Sequence, residues 1–267
     1  DDERSKLIFT FLDAVERVQP KAFIMENVKA LGVLEKWEPV RKKYLDRAVS
    51  LGYQCAPFVL NATEYGVSQK RERVFFIGIK DGGDPFFEHN MADLIAEQKH
   101  IAPTIRELLS PLGRAGTENN PNTCTAKITF ATTPIMRKSP YAGMYFNGQG
   151  RPIDVDSYAN TLPASMGGNK TPFIDEEYLY GDATEDWVVS YHKGLVDGSI
   201  QPEFEEAPGR LRRITIREAM RIQTFPDEYK FMGNKGKIYT QIGNAVPCNL
   251  AEAVAKAVIA YLKNQNI

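Results

Sequence analysis

Cysteine is scarce in this 267-residue chain. Cys55, Cys124 and Cys248 lie far apart and form no CxxC pair, so a disulfide framework is not expected and a reducing cytoplasm suits the chain better. His89, His100 and His192 make no HxxH or HExxH, which leaves a zinc site without support. No apolar run reaches the roughly 18 residues of a membrane helix, so no membrane partner is expected. No GxGxxG follows a strand, which argues against an ordinary dinucleotide-binding dehydrogenase. Excess charge of one sign is missing too: 33 Lys+Arg stand against 34 Asp+Glu, for a net charge of −1. That counts against coating nucleic acid by bulk attraction, but not against a local basic surface. The opening DDERSK is acidic and lacks Met. It is no signal peptide, and it reads as a start inside a longer design.

What is present describes a soluble globule. Apolar residues make up 43% and charged residues 25%. At about 150 residues per domain, the length gives a little under two domains. Residues 3–18 space Leu7, Ile8, Phe11, Leu12, Val15 and Val18 as an amphipathic helix that stops at Pro20. AFIMENV (22–28) predicts a buried parallel strand with a polar carboxyl end. Helical spacing returns over 37–51, and YQCAPFVLN (53–61) and RVFFIGI (73–79) predict strands. This is α/β alternation.

The character changes after residue 80. From about 81 to 208 the chain is rich in Pro, Gly, Asn and Thr, and it reads as an inserted, loop-rich domain with short strands. ITIREAMRIQ restores helix behind the capping box Thr215-x-x-Glu218. Pro247 then opens a last helix with Leu250, Val254, Val258 and Leu262 on one face.

Four segments could carry chemistry. Glu26-Asn27 ends an apolar strand, where ligands of open α/β sheets bind and a half-desolvated carboxylate suits proton transfer. Alone, the pair also describes a solvated strand end. Arg71 and Arg73, in Gln69-Lys70-Arg71-Glu72-Arg73, fall two apart on one side of a strand start. They form either a guanidinium fork or an exposed basic edge. Arg210, Arg212, Arg213, Arg217 and Arg221 surround a single acid, Glu218, as a DNA-facing patch or an ion-paired helix face. The turn Gly243-Asn244-Ala245-Val246-Pro247 presents backbone N–H groups to a cofactor, or is simply a well-made helix start.

The order of these segments is more specific than any one of them. ENV after an apolar strand, YGVSQKRERVFFIG, a long variable region, RRITIREAMRIQTFPD and QIGNAVP resemble, in sequence, the DNA (cytosine-5) methyltransferase family. The resemblance implies a partial doubly wound, Rossmann-like α/β methyltransferase sheet with an inserted irregular, mostly β target-recognition domain. The catalytic domain would take residues 1–80 and 209–267, and the recognition domain 81–208. The implied substrate is double-stranded DNA with a cytosine rotated out of the stack, and the implied methyl donor is S-adenosylmethionine.

By this resemblance Glu26 binds the cytosine's N3 and amino edge, Arg73 lies near its O2, and Arg71 organises Glu26. Asn244, Ala245 and Val246 touch the methyl donor, while the arginine-rich segment braces the recognition domain. Thr161-Leu162 fits a family dipeptide of that domain. Gln69 falls with the DNA-binding residues. Asn169 and Lys170 follow a Gly-Gly turn that either meets base edges and phosphates or only connects strands.

The family's nucleophile, in a Pro-Cys-Gln loop, and its Phe-x-Gly-x-Gly donor loop occur nowhere in this sequence. Pro247-Cys248 belongs to the last motif, and none of the three cysteines is assigned as nucleophile. The chain therefore reads as a split subunit awaiting a second polypeptide, a fragment, or a chain shown without its start, and it is expected not to methylate DNA alone. A non-catalytic DNA-binding subunit or fragment of a restriction-modification system is the alternative. The match of Glu26, Arg71 and Arg73 favours the enzyme.

Overall fold

The computed structural model describes residues 7–265; the first four residues of the expected 3–18 helix lie outside them. The elements run α1 (Leu7–Val18), β1 (Ala22–Val28), α2 (Lys29–Val33), α3 (Glu38–Ser50), β2 (Tyr53–Asn61), β3 (Gln69–Lys70), β4 (Glu72–Lys80) and α4 (Phe87–Ala96). There follow α5 (Ile105–Leu109), β5 (Phe130–Ile135), β6 (Met144–Phe146), β7 (Ala159–Asn160), β8 (Phe173–Asp175), α6 (Glu176–Tyr180) and α7 (Trp187–Asp197). The chain ends through β9 (Leu211–Arg213), α8 (Ile216–Ile222), α9 (Lys235–Asn244) and α10 (Cys248–Asn264). Two compact units form. The first holds the residues up to Tyr65, Arg71–Ile101 and those from Leu250 onward; the second holds Gly66–Lys70 and Ala102–Asn249.

The first unit is an α/β layer built on the sheet β1-β4-β2. Its register corrects the parallel pairing expected of residues 22–28: β4 runs antiparallel to both neighbours, with Met25 opposite Phe76 and Pro57 opposite Phe76. The short passage from Asn61 to Arg71 turns the chain straight back, and antiparallel strands need no crossover helix. Alternation then assigns two faces. One buries Phe23, Met25, Val74 and Phe76 against Ile8, Leu12 and Val15 of α1 and Tyr44 and Ala48 of α3. On the other, Phe58 meets Phe87 of α4 edge-on at 6.4 Å, and Phe87 meets Tyr261 of α10 at 5.3 Å.

Gly78 faces Phe23 across the ladder, and a β-carbon there would come within 2.2 Å of the Phe23 ring. Because that ring is itself wedged 5.1 Å from Tyr53 and 5.7 Å from Phe11, it has little room to yield. Gly78→Ala is therefore expected to cost about 1–3 kcal/mol by overpacking, read as a lowered urea midpoint with an unchanged slope.

The second unit has little regular strand. Its ladders, β3-β7, β5-β6 and β8-β9, are two-stranded, and α6 and α7 accompany them within the irregular 81–208 segment. One core gathers Ile105, Leu109, Val155, Leu162, Ile214, Ile222 and Ile242. A second is aromatic: Phe130 stacks on Trp187 and Tyr191 at 5.6 and 4.5 Å. The capping box at α8 is complete, with Thr215 and Glu218 each bonded to the other's backbone. Lys235–Asn264 is long and apolar enough by composition to cross a membrane. However, the helix path breaks at Ala245, at φ −65° and ψ 150°, and α9 and α10 turn Tyr239, Ile242, Leu250, Val254 and Val258 inward as core helices do.

Candidate active site

Glu26 stands on β1 between the half-exposed Ile24 and Val28, on the sheet face away from α1 and α3. Arg73 is its diagonal neighbour on β4, where Val28 pairs with Arg73 and Glu26 with Phe75. The Arg73 Nε lies 2.9 Å from the Glu26 Oε1. Arg71, only 2% exposed, occupies the single-residue break between β3 and β4. Burial raises the Glu26 carboxyl above its ordinary value, and the positive fields of Arg73 and Arg71 oppose the rise without cancelling it. Burial also pulls Arg71 down to about 10, helped by repulsion from Arg73 and opposed by Glu26. The result is a carboxyl held in place by a guanidinium and prone to carry a proton, which is what a group that donates to a ring nitrogen requires.

None of the three cysteines has the environment of an activated thiol. Cys55 is turned toward the helix-covered face, and burial pushes its thiol up to about 12. Cys248, at the start of α10, is likewise raised by burial. Cys124 is buried in the second unit's core, 3.6 Å from the Thr171 hydroxyl. A reactive cysteine needs the opposite surroundings, exposed and electropositive.

In the second unit the expected DNA-facing residues divide. Gln69 is fully buried: its amide donates to Gln223 Oε1 at 3.0 Å and its carbonyl accepts from the Leu162 N–H at 2.9 Å. Leu162 is buried as well, in the main core. These two residues are therefore corrected from DNA contacts to a clip that fixes the loop. Thr161 donates its hydroxyl to the Lys70 carbonyl at 2.8 Å. Thr161 and Lys170 both line a cavity of about 350 Å³. Asn169 supports it from behind, its carbonyl accepting from the Gly150 N–H at 3.1 Å.

The arginine run is partnered within the second unit, Arg212 and Arg213 deeply and Arg217 and Arg221 at its surface with Asp227. Arg210 pairs with Asp175 at 2.7 Å, Arg212 with Glu176 and Glu218 at 2.7 and 2.8 Å, and Arg221 with Asp227 at 2.8 Å. Arg213 is buried and donates to the Thr171 carbonyl at 2.6 Å.

Comparison with known proteins gives this geometry its setting. Residues 1–260 match the family described as C-5 cytosine-specific DNA methylase. The chain belongs to that family. Type II methyltransferase M1.HphI of Haemophilus parahaemolyticus is 29% identical over 270 residues, spanning 99% of this chain and 63% of the relative. Type II methyltransferase M.PspPI of a Psychrobacter strain is 31% identical over 98% of this chain and 59% of its own length. The chain thus spans about three-fifths of these relatives. The crystal structure of S. pombe Dnmt2 methyltransferase superposes with a TM-score of 0.60 at 15% identity, covering 100% of this chain and 74% of that one, a likeness of fold.

For a member of this methylase family, the Asn244–Val246 turn is the segment to test against a methyl donor. Part of the turn's backbone is already engaged. The Ala245 N–H returns to Gln241, the Ala245 carbonyl accepts from Gln223, and the Cys248 N–H is taken by the Gln223 carbonyl. The Asn244 side chain is exposed. That fits a polar edge contact.

The sequence reading missed Gln223. Its side chain bonds Gln69 and the Ile242 carbonyl, so it holds together segments from opposite ends of the second unit. A glutamine directly after apolar Ile222 at a helix end was the available signal.

Proposed function

We propose that this chain carries the base-binding pocket and the sequence-recognition part of a DNA (cytosine-5) methyltransferase of a restriction-modification system. The Glu26–Arg73 pair at 2.9 Å, with buried Arg71 beside it, supports this reading most directly. Residues 1–80 and 209–267 are assigned to catalysis and 81–208 to target recognition. The substrate is a cytosine of duplex DNA, rotated out because C5 and C6 are inaccessible within the stack.

The chain's residues act at the pyrimidine edge. Protonated Glu26 donates to N3 as a thiolate adds to C6, which leaves C5 nucleophilic. Arg73 fixes the Glu26 carboxyl and offers its remaining N–H groups to the cytosine O2, while Arg71 strengthens the positive field around both. S-adenosylmethionine supplies the activated methyl group when bound, and the exposed Asn244 amide is this chain's contact to it. Loss of the C5 proton, expulsion of the thiolate from C6 and return of the N3 proton to Glu26 then restore the aromatic ring.

The attacking thiolate is assigned to a Pro-Cys-Gln loop, from a second polypeptide or a longer chain, and to no cysteine of this sequence. The experiment is transfer of labelled methyl to duplex DNA. This chain alone should give none. Combined with a segment bearing a Pro-Cys-Gln loop it should turn over, and changing Cys55, Cys124 and Cys248 together to Ser should leave that rate unchanged. Turnover by the chain alone that disappears in the triple variant would place the nucleophile here and overturn the assignment. A combination that binds DNA but never transfers methyl would favour the non-catalytic DNA-binding subunit.

A further inference from the structure

The cavity in the second unit carries an unassigned recognition element. Gln149 and Arg151 line it together with Asn160 and Lys170. Residues 149 and 151 both reach the cavity, although Gln149 lies in a bend beside Gly148 at φ 84°, and Gly150 sits between them. Gly150 is pressed against the neighbouring segment so closely that a β-carbon would lie 2.1 Å from the Thr171 carbonyl oxygen and 2.4 Å from Arg213 Nη1. Its N–H donates to the Asn169 carbonyl at 3.1 Å, and the Arg151 carbonyl accepts from the Phe173 N–H at 3.2 Å. The backbone around both side chains is therefore fixed, while the side-chain ends are left open. Gln149, Arg151 and Lys170 make no side-chain hydrogen bond or ion pair among the described residues.

The cavity's chemistry is lopsided. A guanidinium and an ammonium enter it, no carboxylate lines it, and Pro152, Pro163 and Pro172 form stiff walls without N–H groups. Such a site selects a partner rich in acceptors. Among base pairs in the major groove, guanine alone presents two adjacent acceptors, O6 and N7, on one base, and a planar guanidinium matches them bidentately. Adenine would set its N6 donor against the guanidinium's donors.

We propose that Arg151 is a specificity-determining residue that reads a guanine of the duplex target through O6 and N7, with Gln149 flanking the base; this rests on the DNA-recognition function assigned above. Arg151 is in neither core cluster and holds nothing in place through its side chain, so Arg151→Ala should melt as the wild type does.

The test is selection of duplexes from a randomised pool by the wild-type chain and by Arg151→Ala, followed by binding titrations across salt. Wild type should enrich a site with an invariant guanine. The variant should lose discrimination at that one position by about 5- to 150-fold and keep the rest of the site, as removal of a single bidentate base contact does. Equal weakening on every sequence, with a salt slope shallower by about one, would make Arg151 a phosphate contact and overturn the assignment. An unchanged preference would also overturn it while leaving the recognition role of the domain intact. A wild-type chain with no sequence preference would overturn the recognition function itself, and this assignment with it.

Discussion

Glu26→Gln should lower the rate of methyl transfer by about 10²- to 10⁴-fold, the usual contribution of a positioned general acid or base. The measurement is labelled methyl transfer to duplex DNA in a preparation that supplies the Pro-Cys-Gln loop. The substitution keeps the shape and one acceptor oxygen toward Arg73 Nε, 2.9 Å away in the wild type, but removes the proton that can move to N3. The sign of the pH effect follows from the raised carboxyl. A raised value keeps Glu26 protonated to higher pH, so the rate should fall as pH rises through that value, and the Gln variant should lose this alkaline decline. Stability has the same sign. The folded state binds this proton more tightly than the unfolded chain does, so Glu26 contributes stability below its unfolded value, lost as pH rises through the folded one. Because desolvation outweighs the attraction of Arg73 and Arg71 for the charged form, replacement by the neutral Gln should not unfold the protein. Methyl transfer at the wild-type rate by the Gln variant would remove Glu26 from the mechanism.

Glu218→Ala should be the most destabilising of the substitutions considered, at about 3–5 kcal/mol. Glu218 is fully buried and accepts from Arg212 Nη1 and Nη2 at 2.9 and 2.8 Å, from Asn120 Nδ2 at 3.0 Å and from the Thr215 N–H at 2.8 Å. Truncation leaves Arg212, itself only 12% exposed at its side chain, with Glu176 as its remaining carboxylate. It also removes one of the two acceptors of the Asn120 amide, leaving the Gly113 carbonyl at 2.9 Å, and leaves the Thr215 N–H without its carboxylate. Breaking a buried pair on one side costs more than the pair contributes, because the surviving charge keeps its desolvation penalty. The fall in melting temperature should be on the order of 10 °C. Glu218→Gln, which preserves an acceptor for the Thr215 N–H but not the bidentate charge pair, should fall between the two. A Glu218→Ala protein that melts with the wild type would mean that the network carries no net stability.

Much of the local structure was legible in the residues themselves. YQCAPFVLN is β2 from end to end, and the Thr215-x-x-Glu218 pattern is a complete capping box. Both depend on neighbours a few positions away, where periodicity and side chain-to-backbone bonding act. Glu26 was legible for the same reason: an apolar strand that ends in a carboxylate leaves it half-desolvated wherever that strand lies.

Partnerships across the chain were not legible in this way. Gln69 looked like part of a basic, DNA-facing motif, but its amide closes on Gln223, 154 positions away. The arginine run read equally as a patch for phosphates or as an ion-paired face, until Asp175, Glu176, Glu218 and Asp227 were brought to it. Gln149 and Arg151 carried no signal, because their meaning lies in a cavity whose far wall is Lys170 and Pro172. The sequence alone therefore determined the strand-end carboxylate, the helix caps and the order of motifs. The tertiary structure decided the antiparallel sheet, the ion pairing of the arginines and which cations stay open to a ligand. The difference is physical: local pattern sets what each residue prefers, but whether a charge is neutralised or left free depends on groups that only folding brings within a few ångströms.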